Sequence, residues 1–241
     1  MSRLETFKDL VALRDAVNTR SARFTKTVTV CGGTGCQACG CRAVVDALRI
    51  ELELHGLTDT TAVHVTGCHG FCEQGPIMVI EPGGIFYRHV KRKDVSEIVT
   101  RTLLKEEVVE RLLYEDPVSG TTVQTEDEIP FYKAQDRVLL GQSRQIDANS
   151  IEDYIGIGGY DALAKTLTRL SPEAVIGEIT ASGLRGRGGG GFPTGRKWAT
   201  CSAAPGDEKY VICNADEGDP GAYMDRSVLE GNPHAVLEGM L

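Results

Sequence analysis

The sequence lacks three things: a long apolar run, a surplus of basic residues and a leader-like start. None of its apolar stretches approaches the roughly 18 residues needed to cross a bilayer, so no transmembrane segment is expected. The formal net charge is −8. The densest basic cluster, Arg88, Lys91, Arg92 and Lys93, reads as a solvated corner between a strand and a helix. Nucleic-acid binding therefore has no support. The opening residues are amphipathic and charged, with no apolar core of a signal peptide, so the expected compartment is the cytoplasm. There is no internal repeat. In a reducing compartment the eight cysteines are expected as thiols, metal ligands or reactive groups rather than disulfides.

What is present divides the 241 residues into three parts. Six of the eight cysteines lie between Cys31 and Cys72. An acidic, proline-containing stretch from about Tyr114 to Pro130 reads as a linker. Glycines then concentrate between Gly183 and Gly195. The expected division is a first domain over 1–112, a linker over 113–145 and a second unit over 146–241.

The first part reads as a small α/β unit. Thr27–Val30 and Thr61–Thr66 are strand candidates. Arg42–His55 has helical apolar spacing at Val44, Ala47, Leu48 and Leu52, with Gly56 as its stop. Ile77–Ile80 and Ile85–Arg88 form an expected hairpin, and a last helix is expected near Asp94, with Asp94 and Glu97 as its capping box. That order is thioredoxin-like. In the second unit, Ser150 and Ser171 are helix starts. The first of these helices is expected to run to about Leu170 and the second to end at Gly183. A helix over Thr194–Ala203 and a strand over Tyr210–Cys213 follow. Ser227–Leu241 mixes helix and turn signals.

The chemistry centres on Cys31, Cys36, Cys68 and Cys72. They form C-x4-C and C-x3-C pairs, each in a glycine-rich loop directly after a predicted strand. Four thiolates converging from two neighbouring loops suit an iron–sulfur cluster, and glycine N–H groups can hydrogen-bond its sulfurs. Zinc and a C-x-x-C redox pair (Cys36 with Cys39) are the rival readings, although zinc knuckles have tighter pairs. Cys39 and Cys41 read as spare or buried thiols.

A second signal is the run Gly186, Arg187, Gly188, Gly189, Gly190, Gly191 and Phe192, ahead of Lys197. Bare backbone can wrap phosphates, the next helix start favours an anion, and Phe192 offers a flat face to a ring. The run follows a predicted helix rather than a strand, so it is not a Rossmann fingerprint. A flexible hinge is the blander reading. A third signal is Asn214, Asp216, Glu217 and Asp219, three carboxylates within four residues, able to bind hydroxyls and ring N–H groups or simply to form an acidic turn. No side chain stands out as a catalytic acid, base or nucleophile.

The run from Cys31 to Cys36, with Gly67-Cys68-His-Gly-Phe-Cys72-Glu-Gln-Gly-Pro76, resembles the thioredoxin-like [2Fe–2S] ferredoxin family. From about Phe131 onward the chain resembles the NADH-oxidising flavoprotein subunit of complex I. Fusion of the two is similar to the diaphorase subunits of NAD(P)-reducing or electron-bifurcating hydrogenases and formate dehydrogenases. The resemblance implies a thioredoxin-like ferredoxin followed by the N-terminal half of an FMN/NAD-binding α/β domain. It implies a [2Fe–2S] cluster on the four cysteines and FMN with NAD(H) or NADP(H) on the two later loops, Lys197 meeting the FMN phosphate. A [4Fe–4S] centre is expected only in a C-terminal part beyond Leu241. The implied activity passes a hydride from the nicotinamide to the flavin and single electrons onward to iron–sulfur subunits of a larger redox complex. The alternative is a non-catalytic one-electron carrier or assembly module with an incomplete flavin site.

Overall fold

The structure, a computed structural model, describes residues 4–241. Helix α1 (Phe7–Ser21) is started by Thr6, which exchanges hydrogen bonds with Asp9 in a capping box. A four-stranded sheet follows, with spatial order β2-β1-β3-β4. Strands β1 (Lys26–Cys31) and β2 (Thr61–Thr66) are parallel, while β3 (Met78–Glu81) runs antiparallel to β1 and pairs with β4 (Ile85–Tyr87). The β-branched run of β1 suits a central strand, and Val28 and Val30 are fully buried. A short helix α2 (Thr34–Ala38) precedes α3 (Cys41–Leu54), the parallel crossover between β1 and β2. Its buried stripe of Val44, Leu48 and Leu52 lies on one face at helical spacing. Gly56 has a positive φ of 67° just past its end. Each fully buried large apolar side chain of this core contributes on the order of 1.5–3 kcal/mol.

The last helical run of this unit differs from expectation at its start. It winds through Arg92–Asp94, α4 (Val95–Glu97) and Ile98–Leu103. Asp94 serves as the third residue, accepting the Lys91 N–H at 2.8 Å, rather than as the cap itself. The capping carboxylate is therefore one turn further into the helix.

The acidic stretch expected as a linker is packed. Beyond β4, backbone bonds from Arg88 N–H to Leu112 O (2.8 Å) and from Phe86 N–H to Gln124 O (2.9 Å) extend the sheet. Between them β5 (Tyr114–Glu115) and β6 (Thr122–Val123) make a small hairpin. Ile129 and Tyr132, flanking the start of α5 (Pro130–Lys133) and within it, are buried in the same core as the sheet.

The second unit is helical in its described residues. Ser150 and Ser171 cap α6 (Ile151–Gly156) and α8 (Pro172–Ala181), as expected from their positions. The helix expected to run from Ser150 to about Leu170 is instead two, α6 and α7 (Asp161–Arg169). Gly158 and Tyr160 both take positive φ between them, and the Tyr154 ring lies so close to Gly159 that a Cβ there would sit 2.1 Å away. Gly183 takes a positive φ after α8, and α9 spans Thr194–Ala203. Tyr210–Cys213 is not a strand: no described strand pairs with it, and Tyr210, Val211 and Ile212 are largely exposed. A β-branched run needs a neighbouring backbone before it becomes a strand. Asn232 and Pro233 break the end of the chain into α10 (Met224–Gly231) and α11 (Pro233–Met240).

The two units touch. Arg14 pairs with Asp161, and Arg20 with Glu152 at 2.5 Å, joining α1 to α7 and α6. The Glu238 carboxylate on α11 accepts from Tyr154 OH, Tyr160 N–H and Leu163 N–H at 2.5, 2.8 and 3.1 Å.

Candidate cluster site and nucleotide loops

The parallel pairing of β1 and β2, with Cys31 opposite Thr66, brings both cysteine loops out at the same end of the sheet. Cys31 closes β1, and Gly32 and Gly33 lead into α2, which carries Cys36. Gly67 follows β2 and leads to Cys68 and Cys72. Cys31 and Cys36 are buried, while Cys68 and Cys72 are half-buried. The Sγ atoms of Cys68 and Cys72 are 3.8 Å apart. Two thiolates on one tetrahedral metal, each about 2.3 Å from it, lie about 3.8 Å apart as well.

The loops interlock through glycine. A Cβ at Gly33 would stand 2.8 Å from Cys68 Cβ, and one at Gly35 would stand 3.2 Å from Cys72 Cβ. In return, a Cβ at Gly75 would stand 2.7 Å from Cys36 Sγ. Each loop thus withholds a side chain where the other places a cysteine.

The thiols are mutually coupled. Cys31 is pushed up to about 12, first by its contact with Cys36, and that same contact holds Cys36 below the usual thiol range. Cys68 is raised by Cys31 and then by burial, and Cys72 by burial and then by Cys68. Crowded, half-dry thiols cannot all ionise alone; a cationic metal core reverses that balance. The Gly70 N–H, 3.3 Å from Cys68 Sγ, is a donor of the kind that stabilises a ligating thiolate. The donor set and its glycine cradle fit a four-thiolate cluster. Cys39 is exposed and Cys41 is buried at the first residue of α3.

Sequence reasoning missed His69. It is 1% exposed, with Nε2 2.9 Å from Thr66 Oγ1 and Nδ1 3.2 Å from Glu126 Oε1. Glu126 also accepts from Arg144 at 2.7 Å. Reading Thr125–Glu128 as acidic linker concealed this. The signal was the aromatic and apolar run that follows, Ile129, Phe131 and Tyr132, which a free tether does not need.

The glycine run is a loop closed at its neck. Gly186 N–H donates to Phe192 O and Thr194 N–H to Leu184 O, both at 2.9 Å. Behind it α9 packs tightly on α8, where a Cβ on Gly195 would meet Thr180 Oγ1 at 2.2 Å. Beyond the neck the loop is open: a Cβ at Gly188, Gly189, Gly190 or Gly191 would meet nothing within 4 Å. Phe192 is 49% exposed, with the Arg196 guanidinium 5.6 Å from its ring centre, and Lys197 is exposed. Asn214, Asp216 and Asp219 are also exposed. Glu217 is turned to its own chain, accepting from Asp225 N–H (2.8 Å) and Arg226 N–H (3.2 Å) at the start of α10. Both loops thus lie largely exposed at the surface.

Comparison with known proteins agrees with this two-part anatomy. The thioredoxin-like [2Fe-2S] ferredoxin family matches residues 18–103, and the Nuo51 FMN-binding domain matches residues 179–241. The NADP-reducing hydrogenase subunit HndC of Solidesulfovibrio fructosivorans is 53% identical over 45% of this chain and 22% of its own length. An NADH-quinone oxidoreductase subunit of Aquifex aeolicus is 46% identical over 43% of this chain and 24% of its own. The alpha subunit of the NAD-reducing hydrogenase HoxS of Cupriavidus necator is 30% identical over 89% of this chain and 34% of its own. The chain therefore spans between about a fifth and a third of the length of these relatives. Two domain families are thus matched in one polypeptide, the thioredoxin-like [2Fe-2S] ferredoxins over residues 18–103 and the Nuo51 FMN-binding domain over residues 179–241.

Proposed function

We propose that this chain is an electron-transferring part of a diaphorase-type subunit. In that role it moves electrons between NAD(P)H, FMN and iron–sulfur centres of a larger hydrogenase, formate dehydrogenase or NADH dehydrogenase assembly in the cytoplasm. Cys31, Cys36, Cys68 and Cys72 hold a [2Fe–2S] cluster within a domain over 1–112. The segment 146–241 contributes the Gly186–Phe192 loop, Lys197, Asn214, Asp216, Glu217 and Asp219 to the nucleotide site. When bound, such a cluster supplies one-electron redox chemistry. The chain's own part is to bring two thiolates from each loop to the same end of the sheet, donate the Gly70 N–H to Cys68 Sγ, and keep water from the buried pair.

The observation that carries the reading is the reciprocal glycine–cysteine packing of the two loops. A disulfide or an inert thiol pair has no need of three glycines pressed against cysteine atoms from opposite loops. The test is anaerobic purification with iron, sulfide and flavin analysis and electron paramagnetic resonance of the reduced protein. Two irons and two sulfides per chain, with a signal lost in Cys68→Ser, are expected. Flavin that bleaches with NADH supports the oxidoreductase role for this chain; a cluster without flavin reduces it to a one-electron carrier. A colourless zinc protein overturns the reading.

A further inference from the structure

We propose that the segment 126–144 is a strap belonging to the cluster site. Glu126, acting through His69, and Phe131, acting through Phe71, are positioning residues for the loop that presents Cys68 and Cys72. The inference deepens the cluster reading and rests on it.

The loop from Gly67 to Phe71 has no regular structure of its own, and its non-cysteine residues are all touched by the strap. Gly67 N–H donates to Ser143 O at 2.8 Å. The His69 side chain is held between Thr66 and Glu126, and its carbonyl accepts from Arg137 at 2.6 Å. Gly70 lies under Arg137 and Phe131, whose Nη2 and Cζ would meet a Cβ there at 3.7 and 3.9 Å. Phe71 stacks on Phe131 with ring centres 4.3 Å apart and planes 9° from parallel, and Tyr132 meets it edge-on at 5.8 Å. Arg144, 2.7 Å from Glu126, balances the carboxylate that His69 faces. A buried carboxylate with a cationic partner and a ring N–H partner holds its geometry firmly.

The consequence reaches the sulfurs through the backbone. Holding the His69 carbonyl fixes the peptide that follows it and so aims the Gly70 N–H at Cys68 Sγ, 3.3 Å away. N–H donors to cluster sulfurs set the potential, and partners one layer out from the ligands typically change metal retention about 10- to 100-fold.

The experiment uses the whole chain, with Glu126→Ala, Phe131→Ala and the milder Glu126→Gln and Phe131→Leu. Iron release to a chelator, the midpoint potential and the g-values of the reduced cluster are measured. The two alanine variants are expected to release iron about 10- to 100-fold faster, with shifted potential and g-values, and the milder pair to fall between them and wild type. If an alanine variant does not fold, the milder pair carries the same expectation at smaller amplitude. Wild-type release, potential and g-values in folded variants overturn the proposal, as does a lower melting temperature with those readouts unchanged. Absence of a cluster from the wild type would sink the cluster reading instead. The strap is then tested by amide exchange in the cluster-free chain: faster exchange at Gly67 in Glu126→Ala upholds it, and unchanged exchange overturns it.

Discussion

Gly75→Ala separates the needs of the fold from those of the cluster. Gly75 has φ −70° and ψ 156°, a conformation alanine adopts freely, so the backbone imposes no penalty. The added methyl would stand 2.7 Å from Cys36 Sγ and 3.2 Å from Cys72 O. To reach the 3.4 Å at which ordinary contact begins, the sulfur must retreat by about 0.7 Å, whereas ligand distances tolerate about ±0.2 Å. Without metal, Sγ is the end of a side chain that can turn aside at a cost of about 0.5–1.5 kcal/mol. The lost freedom of the unfolded chain returns about 0.4–1 kcal/mol. The cluster-free protein should therefore keep its stability within about 1 kcal/mol. With metal the same rotation removes a ligand, and retention should fall about 10- to 100-fold. Gly33→Ala is the contrast: its methyl meets Cβ and Cα of Cys68 at 2.8 and 3.0 Å, so cluster and fold should both suffer, the fold by about 1–3 kcal/mol. Iron and sulfide per chain after anaerobic reconstitution, beside denaturant unfolding of the cluster-free forms, reads both quantities. A Gly75→Ala protein that fills and keeps its cluster like wild type would refute the reasoning.

Cys39→Ser should leave the cluster spectrum unchanged, because Cys39 is exposed, whereas Ser at Cys31, Cys36 or Cys72 should alter or abolish it. Gly177 lies inside α8 with nothing within 4 Å of the place a methyl would take, so Gly177→Ala should raise stability by about 0.5–1 kcal/mol in thermal unfolding. His64 on β2 faces Asp153 at 2.8 Å; that contact, helped by Asp147 and opposed by burial, raises its pKa. Its stabilising contribution is complete below the unfolded value of about 6.5 and disappears as pH rises through the higher folded value. Unfolding free energy measured from pH 6 to pH 9 should show that loss in wild type and not in His64→Gln.

Much was legible because it rested on local chemistry. Alternating β-branched residues marked β1 and β2, the 44–48–52 stripe marked α3, serines marked the starts of α6 and α8, and Gly56 and Gly183 marked positive-φ ends. The cysteine spacing after two strands put four thiols at one sheet end, since parallel neighbours open their loops on the same side. These features depend on residues a few positions apart, and propensity or spacing suffices to read them.

The remainder depended on partners distant in the chain. His69 gains meaning only from Glu126, 57 residues later, and the acidic stretch becomes a strap only because Phe71 and the sheet edge offer it aromatic and backbone partners. Tyr210–Cys213 looks like a strand by composition yet has no described strand beside it, and the Gly186–Phe192 loop is closed at its neck while a Cβ at Gly188 to Gly191 would meet nothing within 4 Å. The sequence by itself therefore determined which thiols follow the two parallel strands and where most of the local elements start and stop. Which distant side chains meet, and so how firmly those groups are held, was decided only in three dimensions, because burial and hydrogen-bond satisfaction are properties of the assembled core.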